Sequence, residues 1–382
     1  MVAERLQLLS FPKSKVITIA GTNGKGSTAC FLESMLTAAG YRVGLYTSPH
    51  IHDFCERIRV QKHMIESKSF TQALDAVGQA KGQTQLTFFE WTTLAALWHF
   101  KQQDLDFILL EVGLGGRLDA TNVVASDMSV ITSIGLDHTE YLGTTREEIA
   151  YEKAGIMRPH TSCICGEPDV PHSVFESAER MNTTLRLVGR DFFLEPVSSS
   201  YSFRGRKLSH LLLPEIQLPL PNAVTALAVM DELDLDIEPS VVADGLQHAY
   251  LPGRFEFIQQ KPCIVLDVAH NMQAAHYLKE KCASLKVSGK RYAVFGMMGD
   301  KDISSILASL KGCFDTWYLI DLPQPRAAKM EQYVEYMDTP CFVFSHMAQL
   351  WQHLKQEVQD DDCIVVFGSF YTIAEFKEIF SR

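Results

Sequence analysis

Short apolar runs alternate with helix-periodic segments along the first part of the chain. Helical patterns begin at Ser27, Ser69, Thr87 and Thr145. Strand-like runs occupy 16–20, 41–46, 106–112 and 128–134, with an alternating edge strand at 56–60. The run at 106–112 is almost continuously apolar, which is typical of a strand buried on both faces of a parallel sheet. The alternation therefore predicts an open α/β sheet, in which ligands bind beyond the carboxyl ends of the strands.

The same alternation restarts after a cluster of helix and strand breakers at 250–255. Amphipathic helices are predicted just before that cluster, at 222–233 and 240–248. Beyond it, strands are predicted at 264–267, 292–295, 317–320, 341–344 and 364–367, with helical patterns between them. We therefore place a domain boundary at the breakers. Residues 1–250 are predicted to form a mostly parallel sheet domain and residues 251–382 a smaller, Rossmann-like α/β domain.

Composition narrows the class of partners. The 382 residues have a net charge of −11, which argues against a nucleic-acid or membrane-surface binder, because phosphate surfaces attract a basic face. The nine cysteines contain no C-x-x-C pair and indicate reduced thiols in the cytoplasm. The first residues, MVAERLQLLSFPKSK, lack the apolar centre of a signal peptide, and no run approaches the roughly 20 apolar residues of a membrane span. We expect a cytoplasmic protein that acts on small molecules.

A glycine-rich turn, GTNGKGST at 21–28, joins the first strand to the first long helix. Glycines allow backbone N–H groups to converge on an anion, the helix N-terminus adds partial positive charge, and Lys25 adds a full one. Ser27 or Thr28 places a hydroxyl where it can reach a bound Mg²⁺. The spacing differs from the ordinary P-loop, because Ile19 occupies the first glycine position and Gly26 precedes the hydroxyl residues. The turn predicts a variant, P-loop-type nucleotide-binding domain.

Two further strand ends carry residues that suit a metal site. Glu111 ends the apolar strand at 106–112, and burying a carboxylate there is costly unless it is paired or bound to metal. A Mg²⁺ ligand and a capped or salt-bridged carboxylate both explain it. His138 follows the next strand and is either a metal ligand or a structural histidine. Both residues are therefore predicted to lie at the same edge of the sheet, beyond the carboxyl ends of the strands.

Several other polar residues have both a structural and a functional interpretation. Lys153 on a helix is ordinarily solvated, and Arg254 among the breakers is ordinarily a surface charge. Asp267 and His270 follow the first strand of the second domain and are either a helix cap with an incidental histidine or catalytic groups. The aromatic residues near Phe89 fit a core, and also a wall for a flat heteroaromatic substrate.

Ten motifs together resemble the Mur ligase superfamily, and within it folylpolyglutamate synthase/dihydrofolate synthase. They are GTNGKGST at 21–28, TSPH at 47–50, ERIRV at 56–60, TFFE at 87–90, LEVGLGGRLDATN at 110–122, GLDHTEYLG at 135–143, EKAGI at 152–156, LPGRFE at 251–256, DVAHN at 267–271 and FGSFY at 367–371. They span nearly the whole chain. The combination is far more specific than any single motif.

The resemblance implies an ATP-dependent amide ligase that releases ADP and phosphate. In that family a pterin carboxylate is phosphorylated to an acyl phosphate, which the amino group of L-glutamate then attacks. Two anions must meet, so positive charge must screen them and water must be kept from the acyl phosphate. Expected substrates are dihydropteroate, reduced folates and L-glutamate, with ATP and two Mg²⁺ ions, and the expected assembly is a monomer with its active site between the domains.

The resemblance also implies roles for individual residues. The nucleotide is expected to contact Thr22, Asn23, Gly24, Lys25, Gly26, Ser27, Thr28, Asn222, Arg254 and Asp267. The metal ligands implied are Ser27, Ser48, Glu111 and His138, and the catalytic residues are Lys25, Lys153, Asp267 and His270. Thr87, Phe89, Asp119 and Ala120 match positions that line the dihydropteroate pocket. Lys153 matches a lysine that is carbamylated in the family, which converts a cation into a carboxylate-like anion.

The sequence departs from the family pattern at the N-terminus. Family members usually carry about thirty further residues before the first strand, and that segment packs beside the pterin site. The shorter start leaves alternatives to the bifunctional enzyme: a folylpolyglutamate synthase without the dihydropteroate activity, or a nucleotide-binding protein with impaired catalysis. A cell-wall Mur ligase fits less well, because its UDP-linked substrate requires an additional N-terminal domain.

Overall fold

The computed structural model describes residues 1–198, 200–334, 336–337 and 339–381. The chain divides into two compact units, Met1–Tyr250 and Leu251–Arg382. In the described ranges, every helix is too short or too polar to cross a membrane.

The first unit contains an eight-stranded sheet and a small three-stranded one. The strands of this unit are β1 (Lys15–Ala20), β2 (Val43–Tyr46), β3 (Ile58–Val60), β4 (His63–Met64), β5 (Phe107–Glu111), β6 (Met128–Ile131), β7 (Ser162–Cys165), β8 (Thr184–Leu187), β9 (Phe193–Val197), β10 (Ser200–Arg204) and β11 (Ser209–Leu212). Its helices are α1 (Val2–Arg5), α2 (Lys25–Ala38), α3 (Ser67–Lys81), α4 (Phe88–Lys101), α5 (Thr139–Leu142), α6 (Arg146–Ala154), α7 (His172–Met181), α8 (Leu220–Glu232) and α9 (Pro239–Gln247).

The central strands are buried and parallel, as their apolar composition predicts. The strand order is β4-β3-β2-β5-β1-β6-β7-β8. β3 pairs antiparallel with both β2 and β4, and the other neighbouring strands of this sheet pair parallel. Ile19 of β1 is the register partner of Glu111 on one side and of Val130 on the other. The chain leaves β1 toward β2 on one side and leaves β6 toward β7 on the opposite side. The carboxyl ends of β1 and β6 thus form the topological switch point where α/β sheets bind ligands.

The predicted edge strand at 56–60 is only half correct. Its first two residues belong to a 3₁₀ turn, Phe54–Arg57, and only β3 pairs in the sheet. Asp53 accepts a hydrogen bond from the Cys55 N–H, and the Glu56 carboxylate accepts one from the Asp53 N–H. This capping box is a local alternative to strand pairing, and apolar alternation does not reveal it. The small antiparallel sheet β11-β10-β9 was likewise not predicted.

The second unit is a six-stranded sheet flanked by helices. Its strands are β12 (Glu256–Gln260), β13 (Cys263–Asp267), β14 (Arg291–Phe295), β15 (Thr316–Ile320), β16 (Cys341–Phe344) and β17 (Cys363–Phe367). Its helices are α10 (Met272–Ser284), α11 (Ile303–Ser309), α12 (Glu331–Val334), α13 (Met347–Glu357) and α14 (Phe370–Phe380). The order is β12-β13-β17-β14-β15-β16, parallel except for β12. The α/β class is confirmed, and β12 is an edge strand that the breakers before it concealed.

Candidate active site

The glycine turn after β1 is tied to the loop after β6. The backbone N–H of Thr22 donates to the Ser133 carbonyl at 2.8 Å, and its hydroxyl accepts from the Gly135 N–H at 2.9 Å. The Thr132 hydroxyl donates to the Asn23 carbonyl at 2.6 Å. These bonds hold the turn at the switch point, directly before the N-terminus of the following helix, and helix N-termini favour anions.

Gly24 is the residue on which the turn depends. It caps α2 with φ of +83°, a left-handed conformation that favours glycine. A Cβ at this position would lie 2.2 Å from Oδ1 of Asn222, so the amide side chain on α8 lies directly against the turn. The Lys25 ammonium donates back to the Gly21 carbonyl at 3.0 Å. The structure therefore brings Asn222, about 200 positions away along the chain, to the predicted phosphate loop.

The hydroxyl residues of the turn start the first long helix. Ser27 is 2% exposed and Thr28 is fully buried, and Gly26 before them is buried as well. The Thr28 N–H donates to the Gly24 carbonyl at 2.8 Å, which begins the regular helix. The earlier N–H groups of α2 point toward the turn, and the helix dipole adds positive potential there.

Glu111 and Ser48 lie together at the end of β5. Glu111 is 4% exposed, and its Oε2 accepts a hydrogen bond from the Ser48 N–H at 3.0 Å. Ser48 follows β2, the neighbour of β5 in the sheet. Because parallel strands bring their carboxyl ends to one edge, the two predicted metal ligands meet although 63 positions separate them.

Lys153 is buried in α6 and lies within electrostatic reach of Lys25. It is 3% exposed, and burial together with the charge of Lys25 lowers the pKa of its ammonium group to about 7. The Asp137 carboxylate opposes that shift. The solvated lysine that local sequence suggests is therefore excluded. A lysine with this pKa carries a substantial neutral fraction at physiological pH.

His138 is farther from a strand end than its sequence position suggests. Strand β6 ends at Ile131, and His138 caps the short helix α5 with a left-handed φ of +52°. Its Nε2 lies 4.0 Å from Oδ1 of Asp137, and its side chain is 39% exposed. In the described part of the chain, no group of three or more His, Cys, Asp and Glu side chains is arranged to hold a metal ion. The metal set Ser27, Ser48, Glu111 and His138 stays a prediction.

The four residues predicted to line the pterin pocket lie at the start of α4 and in the adjoining segment after β5. Thr87 is the N-cap of α4, and Phe89 lies against the loop after β5, because a Cβ on Gly113 would be 2.5 Å from its ring. Asp119 organises that loop: it accepts hydrogen bonds from two backbone N–H groups through Oδ2 and from the N–H and hydroxyl of Thr121 through Oδ1. Burial raises the pKa of Asp119 against these bonds, and Ala120 starts the next 3₁₀ turn.

An aromatic cluster adjoins Phe89, and of its members the sequence indicated only Phe88. Phe88 is 69% exposed, and its ring meets Phe54 edge-on with centroids 5.3 Å apart. Phe54 also stacks on Phe70 at 5.0 Å, and the Arg57 guanidinium lies 4.6 Å from the Phe54 centroid. Residues 54, 57 and 70 share no periodicity with residue 88, so only the tertiary structure assembles this aromatic cluster.

In the second unit, three predicted residues gather at the carboxyl end of β13. Asp267 accepts from the Phe255 N–H at 2.8 Å and from the Ala269 N–H at 2.9 Å. Burial raises the pKa of its carboxyl group, and the nearby Arg254 charge opposes that shift. The Arg254 guanidinium lies 5.2 Å from the Phe370 ring, and His270 hydrogen-bonds the Val268 carbonyl through Nδ1 at 2.8 Å.

The backbone around Arg254 is held by a buried ion pair. Glu256 is 5% exposed and accepts from the Gly253 N–H at 2.8 Å. Both of its oxygens also accept from Lys377 on the last helix, at 2.9 Å each. The residues on either side of Arg254, Gly253 and Phe255, have left-handed φ values. The pair therefore stabilises a bend that its local sequence alone does not favour.

The fold and these strand-end clusters match known families. Residues 19–166 match the Mur ligase middle domain and residues 253–370 match the Mur ligase glutamate ligase domain. The dihydrofolate synthase/folylpolyglutamate synthase of Escherichia coli K12 is 42% identical over 382 residues, covering 99% of this chain and 89% of that protein.

Solved structures agree with this similarity. E. coli FolC in complex with DHPP and ADP has a TM-score of 0.96 at 42% identity, covering 100% of this chain and 91% of that one. The Yersinia pestis bifunctional enzyme complexed with AMPPNP and Mn ion has a TM-score of 0.95 at 41% identity, covering 100% and 92%. The protein thus has the fold and the domain order of the Mur ligase superfamily. It belongs to the dihydrofolate synthase/folylpolyglutamate synthase family.

Proposed function

We propose that this protein joins L-glutamate to dihydropteroate, forming dihydrofolate, and to reduced folates, forming polyglutamates, with ATP converted to ADP and phosphate. The observation that carries the proposal is the convergence, at the carboxyl ends of β1 and β5, of a lysine-bearing glycine turn and the buried Glu111 carboxylate. The relatives complexed with ADP, AMPPNP, Mn and DHPP support it.

The glycine turn is proposed to bind the ATP phosphates. Its tethering to the β6 loop supports this role, since donors that are already positioned need no reorganisation when the anion arrives. Lys25 would leave the Gly21 carbonyl to screen phosphate charge. Asn222 lies against Gly24 and leaves no space for a larger side chain at that position. In the second unit, Arg254 and Asp267 are proposed to contact the nucleotide, and His270 with Asp267 to take part in catalysis.

The residues near Glu111 fit a magnesium site. Mg²⁺ prefers oxygen ligands and usually combines one or two carboxylates with substrate phosphates. Glu111 is buried at the end of β5, and its Oε2 accepts a hydrogen bond from the Ser48 N–H. We propose that Ser27, Ser48, Glu111 and His138 hold two Mg²⁺ ions, which when bound would neutralise charge between ATP and the pterin carboxylate.

Lys153 is proposed to carry a carbamate. Only a neutral amine attacks carbon dioxide: its nitrogen forms a bond to the carbon, and one proton is released. The buried position and the pKa of about 7 support this modification, because they supply the neutral amine. The product is an anion beside Lys25 and near Asp137, where an ammonium group would repel Lys25.

The pterin end of the substrate is proposed to lie along Thr87, Phe89, Asp119 and Ala120. The exposed Phe88 ring, with the partly buried Phe54 ring beside it, supports this assignment, since flat heteroaromatic rings stack on aromatic side chains. Asp119 would act chiefly by fixing the loop conformation, because its oxygens already accept four hydrogen bonds. We further propose that the protein is a monomer and that it is cytoplasmic. The nine free thiols are consistent with a reducing compartment.

One assay tests the proposal. ADP release is measured with L-glutamate and either dihydropteroate or tetrahydrofolate. Turnover with both supports the bifunctional enzyme, and turnover with tetrahydrofolate alone supports a folylpolyglutamate synthase. Lys25→Ala is expected to abolish ADP release with an unchanged circular dichroism spectrum. If that variant remained active, the role of the glycine turn would be wrong.

A further inference from the structure

Two cysteines of the second unit face each other across adjacent parallel strands. Cys263 is the first residue of β13, Cys363 is the first residue of β17, and the two are direct register partners. Both side chains join the same hydrophobic core, so they lie on the same face of the sheet. The two thiols are close enough to perturb each other's ionisation.

The spacing suits a covalent bridge. Neighbouring strands lie about 4.8 Å apart, and disulfides join Cα atoms that are about 4.4 to 6.8 Å apart. Register partners on one face of a sheet therefore meet the Cα requirement without leaving their strands. Both sulfurs are reduced in the structure.

The two thiols differ in access and acidity. Cys263 is partly exposed, whereas Cys363 is fully buried. Interaction with the Cys363 thiol lowers the pKa of Cys263, and the pKa of Cys363 is raised by that interaction and by burial. Reactivity toward oxidants follows thiolate character and exposure, so Cys263 is the sulfur that reacts first.

We propose that Cys263 and Cys363 form a reversible disulfide that peroxides generate in the folded protein. The Cys263 thiolate attacks one oxygen of hydrogen peroxide, the O–O bond breaks, and one water leaves after protonation, giving a sulfenic acid. The Cys363 sulfur then attacks the Cys263 sulfur, the S–O bond breaks, and a second water leaves. Two thiols lose two electrons and two protons, and one peroxide is reduced to two waters.

The bridge would connect β13 and β17 at the ends opposite to Asp267. Asp267 is the last residue of β13, so its hydrogen bonds to the Phe255 and Ala269 N–H groups stay in place. A link between residues 263 and 363 closes a long loop, which constrains the unfolded chain. Oxidation is therefore expected to raise the unfolding temperature of the second unit while ADP release is retained.

The test uses the full-length reduced protein and one equivalent of hydrogen peroxide. Free thiols are then blocked with N-ethylmaleimide, and the digest is examined by mass spectrometry. We expect a Cys263–Cys363 linked peptide, loss of two thiols per chain, and full reversal by dithiothreitol. Cys341 on β16 is also partly exposed and packs against the same core, so Cys341→Ser is the matched control and should behave like the unchanged protein.

Two variants make the proposal falsifiable. Cys363→Ser should lose the linked peptide and accumulate a Cys263 sulfenic acid that dimedone traps, and oxidation should no longer raise its unfolding temperature. Cys263→Ser should give neither product. The proposal is overturned if Cys263 links to the neighbouring Cys282 instead, or if Cys313 or Cys341 is oxidised before Cys263.

Discussion

The backbone N–H of Ser48 donates a 3.0 Å hydrogen bond to Oε2 of Glu111, which couples the loop after β2 to the end of β5. The carboxylate is 4% exposed, and its net charge is not required for that bond, since an amide oxygen also accepts a hydrogen bond. Structure and charge at this residue can therefore be separated by one isosteric substitution.

Glu111→Gln is expected to lower ADP release by at least about 100-fold, because it removes a charged metal ligand. The unfolding temperature should change little, since the Ser48 hydrogen bond survives. Steady-state kinetics over a range of Mg²⁺ concentrations measures the effect. Glu66→Gln, at an exposed helix start whose side chain makes no cap, is the control. Retention of half the activity by Glu111→Gln would contradict the metal assignment.

Lys153 makes stability depend on pH. Its folded pKa of about 7 lies below its ordinary value of 10.5, so between these limits the unfolded chain binds more protons. Stability therefore rises with pH across this window, by about 3 kcal/mol between about pH 7 and about pH 9.5. Urea unfolding in carbonate-free buffer should show this rise in the unchanged protein but not in Lys153→Met. Parallel pH profiles for the two proteins would show that the ammonium group is not destabilised by burial.

Gly24→Ala and Gly40→Ala form a matched pair. Gly24 has φ of +83° and Gly40 has φ of +87°, but only the Cβ at residue 24 meets another side chain, 2.2 Å from Asn222. Each substitution should cost about 1–2 kcal/mol for the left-handed conformation. Gly24→Ala should lose more stability in urea unfolding and should also raise the KM for ATP, whereas Gly40→Ala should leave that KM unchanged. Equal effects of the two substitutions would contradict the close contact between Asn222 and the glycine turn.

The Glu256–Lys377 pair is expected to position Arg254. Lys377→Met leaves the buried Glu256 carboxylate without its cation, which costs about 3 kcal/mol in stability. The KM for ATP should rise with kcat largely retained, because the bend that carries Arg254 loosens. Lys377→Arg should restore much of the lost affinity, and the exposed Lys311→Met should change nothing.

A double-substitution cycle separates positioning from stability. Glu256→Gln combined with Lys377→Met removes both charges, so it should be less destabilising than Lys377→Met alone. The Gly253 N–H then keeps only a neutral acceptor, and the KM for ATP should remain raised. Recovery of both stability and KM in the double variant would limit the pair to a structural role.

Much of the architecture could be predicted from the chain alone. Apolar runs at 106–112 and 264–267 identify buried parallel strands because burial on both faces leaves few polar positions. The glycine turn and Lys25 predict an anion-binding loop, and that role stays a prediction. The fold class and the family follow from such local features.

The remaining features depend on contacts between distant residues. The edge strand at 56–60 was partly wrong because a capping box used Glu56, and His138 lies beyond the strand end that its spacing indicated. Local sequence determined where the glycine turn begins and which residues compose it. Only the tertiary structure decided that Asn222 covers Gly24 and that burial near Lys25 lowers the pKa of Lys153, because desolvation and charge repulsion depend on neighbours that folding brings together.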